Sequence, residues 1–401
     1  MTDSKSKKVV ITVTGKDTPG ITSSLSKIVA RDGIRLLDIE QSLTCGILSL
    51  SFVVEFSDAS ISDPILKDML FKSKELGLSM DFKPLEIQTQ AHLIKDQFVV
   101  TLISDELSAG HISAVSEVLA RKKVNIDSIR KLSQDSLACV ELITYTDSKI
   151  DLNALKEDLL ITSAKFPGLD IAIQKENIYR RAKRLVVMDM DSTLIQCEVI
   201  DELAKIAGVG EKVSHITERA MNGEIDYDES LRERVALLKG LPESVLKDVA
   251  EKIPLTEGAE VLIHALQNLG YKIALISGGF SYFGKYLKAK LNLDYVFTDV
   301  LEIKDGKLTG LLGSQEIINA EKKGELLERI AAQEKIPLES VIAIGDGAND
   351  VVMLKKAGLG IAFNAKKKTQ RAADASINRK LSSILYLLGI TDKDIQTAIG
   401  K

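Results

Sequence analysis

The sequence of 401 residues predicts an α/β protein in which two ferredoxin-like units precede a doubly wound parallel sheet with a helical cap. Two patterns predict this fold. In the first half a strand–helix pattern occurs twice, and in the second half short buried strands alternate with helices. Hydrophobic residues make up 45% of the chain and charged residues 27%, which is ordinary for a globular protein with a sizeable core.

The first half contains an internal repeat. The segment that begins at Val9 aligns without gaps on the segment that begins at Val99, so that Gly20 falls on Gly110. Each copy predicts the order βαββαβ, an antiparallel sheet with helices on one face. Two such units can pair their sheets within one chain or across a dimer, and we expect a homodimer. The predicted strands are 9–13, 34–44, 48–56 and 80–87, then 99–103, 124–131, 138–145 and 170–173, and the second helices are 63–76 and 152–165.

A glycine stands where the first strand of each copy passes into its helix, in the turns DTPG (17–20) and LSAG (107–110). Glycine lets the backbone approach a ligand closely, and the free N–H groups of a helix N-terminus suit a carboxylate. An ordinary strand-to-helix turn accounts for the same residues equally well. Both interpretations stay open at this point.

The paired units resemble the ACT domain family over about residues 8–174. This resemblance implies a small-molecule sensor that binds an amino acid at Gly20 and Gly110 and regulates the rest of the chain. Serine is the expected effector, acting by feedback inhibition. The second copy lacks the Asp and Pro of the first turn, so two equivalent sites are not implied.

A charged linker, 175–184, separates the repeat from a second half with a different pattern. There buried strands alternate with helices, which predicts a parallel, doubly wound sheet. A helix-rich insert, about 201–253, is far longer than one crossover helix needs, and we expect it to cap the carboxyl ends of the strands. The predicted domains are therefore 1–90, 91–178 and 179–401. The predicted strands of the last domain are 185–188, 271–276, 341–344 and 360–363.

The most informative motif is the pentapeptide DMDST, 189–193, directly after the apolar run LVVM. It puts Asp189 and Asp191 at the carboxyl end of a buried strand, where ligands bind in open α/β sheets. Two carboxylates in one small space repel each other unless a cation lies between them, and Mg²⁺ is the natural oxygen-seeking ion. One carboxylate could then attack phosphorus while the other transfers protons. The alternative is a solvated turn, because Asp and Ser are common in turns.

Three further motifs follow along the chain. SGG, 277–279, comes directly after a buried strand and offers a hydroxyl and backbone N–H groups to a phosphate at a helix start. Lys323 could supply a cation to phosphate oxygens. GDGAND, 345–350, ends another buried strand with two carboxylates and an amide, an unfavourable concentration of acid unless a metal binds there. Each motif alone also fits a turn or a solvated side chain, so the prediction rests on their common order.

With this order of motifs the chain resembles the haloacid-dehalogenase-like phosphatases over about residues 183–401, and its details resemble the phosphoserine phosphatase family among them. The resemblance implies that Asp189 is the nucleophile and forms an aspartyl-phosphate. Asp191 would protonate the departing serine oxygen and then deprotonate the water that cleaves the intermediate. Mg²⁺ would be held by Asp189, the backbone carbonyl of Asp191 and Asp346, with Asp350 as outer support.

The same resemblance assigns the groups around the substrate. Glu198 would bind the ammonium group of O-phospho-L-serine, and Arg234 its carboxylate, which suits a bidentate cation. Thr193 would orient the loop around Asp191. The residues that would hold the transferring phosphoryl group or its neighbours are Ser277, Gly278, Lys323 and Asn349, and those that would line the apolar side are Met221 and Tyr227.

The expected reaction is hydrolysis of O-phospho-L-serine to L-serine and phosphate, the last step of serine biosynthesis. The alternative among enzymes is a phosphotransferase that passes the aspartyl-phosphate to another alcohol, or a phosphatase for another small ester. Outside the enzymes, the alternative is a sensor in which the ACT-like half binds an amino acid and regulates a partner.

Composition limits the partners. The net charge of −4 argues against nucleic acid as the main partner. No apolar stretch reaches membrane-spanning length, and the polar start MTDSKSKK lacks a signal-peptide core. Cys45, Cys139 and Cys197 lack metal-ligand spacing and fit a reducing cytoplasm. We therefore expect a cytoplasmic enzyme that acts on small molecules.

Overall fold

The computed structural model describes residues 7–31, 33–57, 59–85, 96–134, 138–147, 149–313 and 316–400, without the side chains of 59–61. The chain separates into two compact units, Met1–Leu93 and Ile94–Lys401. The predicted domain boundary at residue 90 lies outside the described residues, and the one at residue 178 falls within the second unit; both stay predictions. In the described ranges no helix combines the length and the apolar character needed to span a membrane.

The first unit contains, in chain order, β1 (Lys7–Lys16), α1 (Ile21–Val29), β2 (Ile34–Thr44), β3 (Ile47–Phe56), α2 (Ala59–Glu75) and β4 (Ser79–Pro84). The strands form one antiparallel sheet in the order β2-β3-β1-β4. Every second side chain of β1, at Val9, Ile11 and Val13, is buried in a core shared with Leu25 of α1 and Met69 of α2. The ferredoxin-like order is confirmed. The end of the predicted last strand, 86–87, lies outside the described residues.

The second unit opens with the other copy of the repeat: β5 (Asp96–Ile103), α3 (Ala109–Arg121), β6 (Asn125–Lys131), β7 (Cys139–Thr146), α4 (Leu152–Ser163) and β8 (Asp170–Lys175). Its strands pair in the equivalent order β6-β7-β5-β8. The copies differ where the first helix starts. Gly20, with a φ of 97°, caps α1. Ser108 caps α3 through reciprocal hydrogen bonds with His111, and Gly110 lies inside the first turn. The prediction of a glycine-opened helix is therefore wrong for the second copy.

The rest of the second unit is built on β9 (Leu185–Met188), β10 (Lys272–Phe280), β11 (Tyr295–Asp299), β12 (Leu301–Lys304), β13 (Lys307–Leu312), β14 (Val341–Gly345), β15 (Leu359–Phe363) and β16 (Ala375–Ile377). Six of these strands are parallel, in the order β11-β10-β9-β14-β15-β16, while β12 and β13 form a hairpin. Val186 and Met188 of β9 enter one hydrophobic cluster, and Leu185 and Val187 enter another. Because both faces are covered, the strand is a continuous apolar run. The predicted doubly wound sheet is confirmed.

The two sheets of the second unit are continuous. β16 pairs antiparallel with β8 at Ala375 and Ala172, which gives a sheet of ten strands. Beyond this pair, the backbone N–H and the side-chain amide of Asn378 each donate a hydrogen bond of 2.9 Å to Asp170. The sequence did not predict this junction, because β16 has only three residues and carries no strand pattern of its own.

Four helices between β9 and β10 form the cap: α5 (Val199–Ile206), α6 (Gly210–Met221), α7 (Tyr227–Ala236) and α8 (Ser244–Lys252). Gly208, Gly223 and Gly240 separate them, each with a positive φ that favours glycine after a helix. These helices cover 199–252, against the predicted 201–253. The remaining helices are α9 (Ala259–Asn268), α10 (Ser281–Leu291), α11 (Ala320–Gln333), α12 (Val351–Lys356), α13 (Lys367–Ala372), α14 (Ile384–Leu387) and α15 (Asp392–Ala398).

Candidate active site

Three of the predicted motifs lie at the same edge of the parallel sheet. Asp189 follows β9, Asp346 follows β14, and Ser277 stands near the end of β10. β9 pairs in parallel with both β10 and β14, so the carboxyl ends of the three strands are neighbours. The topology therefore brings together residues that are far apart in the sequence.

A cluster of carboxylates forms at this edge. One carboxylate oxygen each of Asp189, Asp346 and Asp350 lies within 4.8 Å of the others. Lys323 of α11 is fully buried, and its Nζ lies 2.9 Å from Asp189 Oδ1 and 2.7 Å from Asp350 Oδ1. The second oxygen of Asp350 accepts a hydrogen bond of 2.9 Å from the Gly347 N–H. Asp350 is thus bonded on both oxygens, and the remaining acceptor capacity lies mainly on Asp189 and Asp346.

The cluster carries more negative charge than Lys323 neutralises. Burial, and then the charges of Asp189 and Asp350, raise the pKa of Asp346 to about 7. Burial raises the pKa of Asp350 to about 6, although Lys323 opposes the shift. Burial lowers the pKa of Lys323, but Asp189 and Asp350 together raise it above its usual value. Three carboxylates beside one ammonium group leave an excess of negative charge that a divalent cation can neutralise.

The donor set fits a hard divalent cation, because carboxylate oxygens are the preferred ligands of such ions. Asp189 Oδ1 is buried and accepts no hydrogen bond from the described residues. Its 2.9 Å contact with Lys323 is close enough for an ion pair but lacks the angles of a hydrogen bond. An oxygen with an ion pair but no hydrogen bond keeps acceptor capacity for a further ligand. The cluster is therefore a candidate metal centre, as in a metal-dependent phosphatase.

Asp191 lies beside the cluster in the loop after β9. Its Oδ1 accepts a hydrogen bond of 3.2 Å from the Val199 N–H at the start of the cap. Burial, and then the charges of Glu198 and Asp189, raise the pKa of Asp191 well above its usual value. A carboxyl group whose pKa is raised holds its proton more tightly, which suits a general acid.

Side-chain hydrogen bonds brace this loop. Thr193 Oγ1 donates to Asp346 Oδ1 over 3.0 Å, and the Thr193 carbonyl accepts from Thr256 Oγ1 over 2.7 Å. Ser192 has a φ of 55°, in the left-handed region, and its Oγ donates to Glu198 Oε1 over 2.7 Å. Thr193 therefore bonds to the metal-site acid, whereas the sequence predicted that it orients the loop around the second Asp of the motif. Thr256 was not predicted.

The SGG motif, at the end of β10, leaves the backbone at its two glycines without side chains. The buried Ser277 Oγ accepts a hydrogen bond of 3.0 Å from the Gly279 N–H. A Cβ at Gly278 would overlap the Tyr227 hydroxyl, and one at Gly279 would lie 2.7 Å from Asp191 Oδ2. Glycine is needed at both positions because functional side chains approach the backbone there. The motif ends a strand instead of opening a helix as predicted, since α10 begins only after Phe280.

Asn349 lies in the short 3-10 turn between β14 and α12 and is half-buried. Its Oδ1 occupies the space that a Cβ at Gly347 would need. The turn thus brings an amide to the strand end that also carries Asp346 and Asp350. Its contact with a phosphoryl group stays a prediction.

Two cap residues stand close to this chemistry. Tyr227, the first residue of α7, places its hydroxyl against Gly278, and burial raises the pKa of that hydroxyl. Arg234 is half-buried; its Nε donates to the Ser230 carbonyl over 3.3 Å, and it forms no ion pair among the described residues. Glu198 is exposed as a residue, yet burial around its carboxylate raises its pKa, an effect that the charge of Arg234 opposes. Glu198 and Arg234 are therefore electrostatic neighbours beside Asp189.

Met221 stands at the end of α6. It is 65% exposed, and its Sδ lies 3.7 Å from Lys366 Nζ. The structure thus places Met221 on the rim of the cap beside a lysine. Its predicted role on the apolar side of the pocket stays a prediction.

Asp299 is a further acid near the site that sequence reasoning missed. It ends β11, is 2% exposed, and its Oδ1 accepts a hydrogen bond of 3.0 Å from the Ile318 N–H. Burial raises the pKa of Asp299 to about 7, and Asp228 on the cap helix α7 adds to the shift. An acid at the end of a buried strand was the signal that identified Asp189, and applied to YVFTD it would have found Asp299.

The two glycines predicted to bind a regulatory ligand lie in different units. Gly20 has open space where a Cβ would stand, whereas a Cβ at Gly110 would lie 3.4 Å from Ser108 Oγ. The two turns therefore offer different surroundings to a ligand. Amino-acid binding at either position stays a prediction.

Comparisons with known proteins cover both halves of the chain. A haloacid dehalogenase-like hydrolase domain matches residues 183–358, and ACT domains match 7–83 and 97–174. Phosphoserine phosphatase SerB2 of Mycobacterium tuberculosis is 40% identical over 397 residues, which are 97% of this chain and 95% of that protein. Phosphoserine phosphatase of Streptomyces coelicolor is 37% identical over 401 residues, which are 97% and 94% of the two chains.

A solved structure resembles a large part of the chain. A haloacid dehalogenase family hydrolase of Salmonella enterica serovar Typhi has a TM-score of 0.64 and 30% identity, covering 73% of this chain and 98% of its own. Together with the full-length relatives, this likeness confirms the resemblance that the motifs predicted. The chain belongs to the phosphoserine phosphatase family of haloacid dehalogenase-like hydrolases, in the long form that carries two ACT domains ahead of the hydrolase domain.

Proposed function

We propose that the protein hydrolyses O-phospho-L-serine to L-serine and phosphate, the last step of serine biosynthesis. The observation that carries this proposal is the Asp189 carboxylate, which contacts Lys323, lies within the acidic cluster and shares a sheet edge with the SGG backbone. The full-length relatives support the choice of substrate, since both are phosphoserine phosphatases by name.

Two displacements at phosphorus account for the reaction. An oxygen of Asp189 attacks phosphorus, the bond from phosphorus to the serine oxygen breaks, and Asp191 gives its proton to that oxygen. Asp191, now ionised, then takes a proton from water as the water oxygen attacks the phosphorus of the aspartyl-phosphate. The bond to Asp189 breaks, phosphate leaves, and both carboxyl groups return to their first state. The raised pKa of Asp191 supports this double role.

Positioned donors and cations stabilise the charge that spreads over the phosphoryl oxygens. We propose that Lys323, the Ser277 hydroxyl, the Gly278 N–H and the Asn349 amide supply them. Lys323 is buried and already lies between Asp189 and Asp350, so its ammonium group is fixed before the substrate binds. Exclusion of water by the cap would strengthen each of these interactions.

We propose Mg²⁺ as the metal, with Asp189, Asp346 and the backbone carbonyl of Asp191 as ligands and Asp350 as support. An all-oxygen donor set supports a hard ion of this kind. When bound, Mg²⁺ would neutralise the cluster and polarise a phosphoryl oxygen. Thr193, which donates to Asp346, would hold that carboxylate in a fixed orientation.

Glu198 and Arg234 are the proposed selectivity residues. Arg234 is half-buried without a carboxylate partner in the described part of the chain, so it is available for the carboxylate of the substrate. Glu198 is exposed close to the charge of Arg234, and its own charge suits the ammonium group of the substrate. Met221 and Tyr227 are the proposed apolar neighbours.

We further propose that the ACT domains bind an amino-acid effector, with Gly20 and Gly110 as the positions of contact, and that the enzyme is a cytoplasmic homodimer. The two matched ACT domains support effector binding. The three free cysteines, Cys45, Cys139 and Cys197, support a reducing compartment.

The substrate proposal is tested by phosphate release from phosphoserine and from a panel of sugar phosphates, with Mg²⁺ and with EDTA. We expect phosphoserine to exceed the sugar phosphates by about 100-fold or more in kcat/KM, because its two charged groups are recognised separately. Comparable rates for the sugar phosphates would overturn the choice of substrate. Undiminished activity in EDTA would overturn the proposal that the reaction depends on a metal ion.

Arg234→Lys provides the matched test of substrate recognition. It should raise KM for phosphoserine and leave hydrolysis of p-nitrophenyl phosphate, which has no carboxylate, nearly unchanged. Arg232→Lys on the same helix is the control, because Arg232 is exposed. Equal effects of Arg234→Lys on both esters would remove Arg234 from carboxylate binding.

A further inference from the structure

A cavity of about 300 Å³ lies within the second unit, between the second ACT domain and the hydrolase domain. On the hydrolase side its wall contains Lys183, Glu339 and Asp374, which stand just before β9, β14 and β16. These strands are parallel, so the cavity lies at their amino edge, opposite the carboxylate cluster. It is therefore separate from the candidate active site.

The other wall comes from the ACT domain. Phe98 of β5, Lys156 of α4 and Ile173 of β8 line it, so that an ammonium group stands beside apolar side chains. The pairing of β16 with β8, and the hydrogen bonds from Asn378 to Asp170 beyond the carboxyl end of β16, join the two domains. Regular elements and short connecting segments thus share the lining, since Phe98 and Ile173 lie on strands and Lys156 on a helix, whereas Lys183 and Asp374 stand in the segments that lead into β9 and β16.

Two lysines in these walls lack the partners that buried ammonium groups normally have. Lys183 is 3% exposed, and its Nζ donates to the Glu339 carbonyl oxygen as its one hydrogen bond among the described residues. An ammonium group has three donors. Lys156 is half-buried and forms no ion pair within the described ranges. Burial lowers the pKa of Lys183 to about 8 and lowers that of Lys156 as well.

Asp374, which lines the same cavity, already accepts a hydrogen bond from the backbone. Asp374 Oδ2 accepts a hydrogen bond of 2.8 Å from the Gly360 N–H, and its charge acts on both lysines without direct contact. Glu339 is exposed and accepts the Lys183 hydrogen bond at its backbone carbonyl, and the charge of its carboxylate acts on Lys183 without an ion pair. Two lysine ammonium groups thus border the cavity, neither with an ion pair among the described residues, so both keep donors that an entering anion could use.

We propose that this cavity binds a small oxyanion, the carboxylate or phosphate group of a metabolite, between Lys183 and Lys156. Phe98 and Ile173 would pack against the apolar part of the same molecule. Because Lys156 belongs to the ACT domain and Lys183 leads into β9, the bound molecule links the two domains. The site is distinct from the one proposed at Gly20 and Gly110, and it does not depend on the catalytic activity.

The test is isothermal titration of the full-length protein with inorganic phosphate and, separately, with L-serine. Both can also occupy the active site as products, so the number of sites per chain is the deciding quantity. We expect one site more in the wild-type protein than in Lys183→Met, for phosphate, for serine or for both. Lys156→Met should weaken that site about tenfold, as expected for the loss of one charged hydrogen bond.

Lys393→Met, at an exposed lysine of α15, is the matched control and should bind like the wild-type protein. If Lys183→Met does not fold, Lys156→Met alone decides. A site lost only for phosphate identifies a phosphate group as the ligand, and one lost only for serine identifies a carboxylate. Equal stoichiometry and affinity in wild type and both lysine variants overturn the proposal. Phosphoserine turnover in the same preparation shows separately whether the proposed function holds.

Discussion

Asp189 and Asp191 are two residues apart, yet their surroundings suit them to different chemistry. Asp189 contacts the Lys323 ammonium group and the acidic cluster, with one oxygen free of hydrogen bonds from the described residues. Asp191 accepts a backbone hydrogen bond from Val199 and has a raised pKa, chiefly because it is buried. These surroundings support the proposed roles of Asp189 as the nucleophile and Asp191 as the proton donor.

Gly279→Ala tests the position of the proton donor. The added methyl group would overlap Met190 Cε and lie 2.7 Å from Asp191 Oδ2, so both side chains, including that carboxyl group, would have to move. We expect kcat to fall by about 100-fold or more, the usual contribution of a general acid–base group. The measurement is steady-state kinetics with phosphoserine.

Gly210→Ala is the control for this substitution. Gly210 begins α6, has no positive φ, and has open space where a Cβ would stand. It should leave kcat near that of the wild-type protein. A Gly279→Ala enzyme with wild-type kcat would show that the approach of Asp191 to this backbone is not needed.

The acidic cluster predicts how the metal-free protein responds to pH. Folding raises the pKa of Asp346 from 3.8 to about 7, so the folded chain binds this proton more tightly than the unfolded chain. Stability from this group is therefore present at low pH and is lost as pH rises through about 7. In EDTA we expect Tm to be lower at pH about 8 than at about 5.5, and Mg²⁺ to restore it mainly at the higher pH. Equal stabilisation by Mg²⁺ at both values would contradict this account.

At the scale of elements, the cap meets the core through the start of α7. Tyr227 contacts Gly278 on β10, and Asp228 accepts a hydrogen bond of 3.4 Å from Asn319, which caps α11. α11 carries Lys323. The same helix start thus touches both the bare backbone of the SGG motif and the helix that supplies the buried lysine.

Asp299→Ala tests this junction. The substitution removes the acceptor of the Ile318 N–H and leaves a buried donor unpaired, which costs about 1–3 kcal/mol. The Ile318 carbonyl lies beside Gly278, so we also expect a lower kcat/KM. Asp299→Asn keeps an oxygen acceptor and should restore both properties. The free energy of unfolding is measured in urea, and kcat/KM is measured with phosphoserine. An Asp299→Asn variant that loses as much stability and activity as Asp299→Ala would contradict this prediction.

At the scale of the whole molecule, elements with a long periodic pattern were predictable from the sequence, and short elements were not. The repeat from Val9 and from Val99 predicted both ferredoxin-like units, because alternation along a strand requires one buried face. The apolar runs ending at Asp189 and Gly345 predicted a parallel sheet for a different physical reason, because a strand buried on both faces is a continuous apolar run. β16 and its pairing with β8 carry no such pattern, since that junction depends on tertiary contacts such as Asn378 to Asp170.

The residues of the candidate active site also divide into those that the sequence predicted and those that it did not. Residues at strand ends were predictable because the sheet brings those ends together, as for Asp189 and Asp346. Thr256 was not, because its hydroxyl reaches the Thr193 carbonyl across 63 residues of sequence. The charged cavity at the amino edge was also beyond prediction, since Lys156 and Lys183 meet there only through the joined sheets.

The central claim is that Asp189 carries the phosphoryl group during turnover. The most direct measurement is acid quenching of the Mg²⁺-loaded protein within one turnover of phosphoserine labelled in its phosphate, followed by peptide mapping. We expect a base-labile label on the peptide that contains Asp189 and no label in an Asp189→Asn protein. Release of labelled phosphate with no labelled peptide, or a label on any other residue, would contradict it.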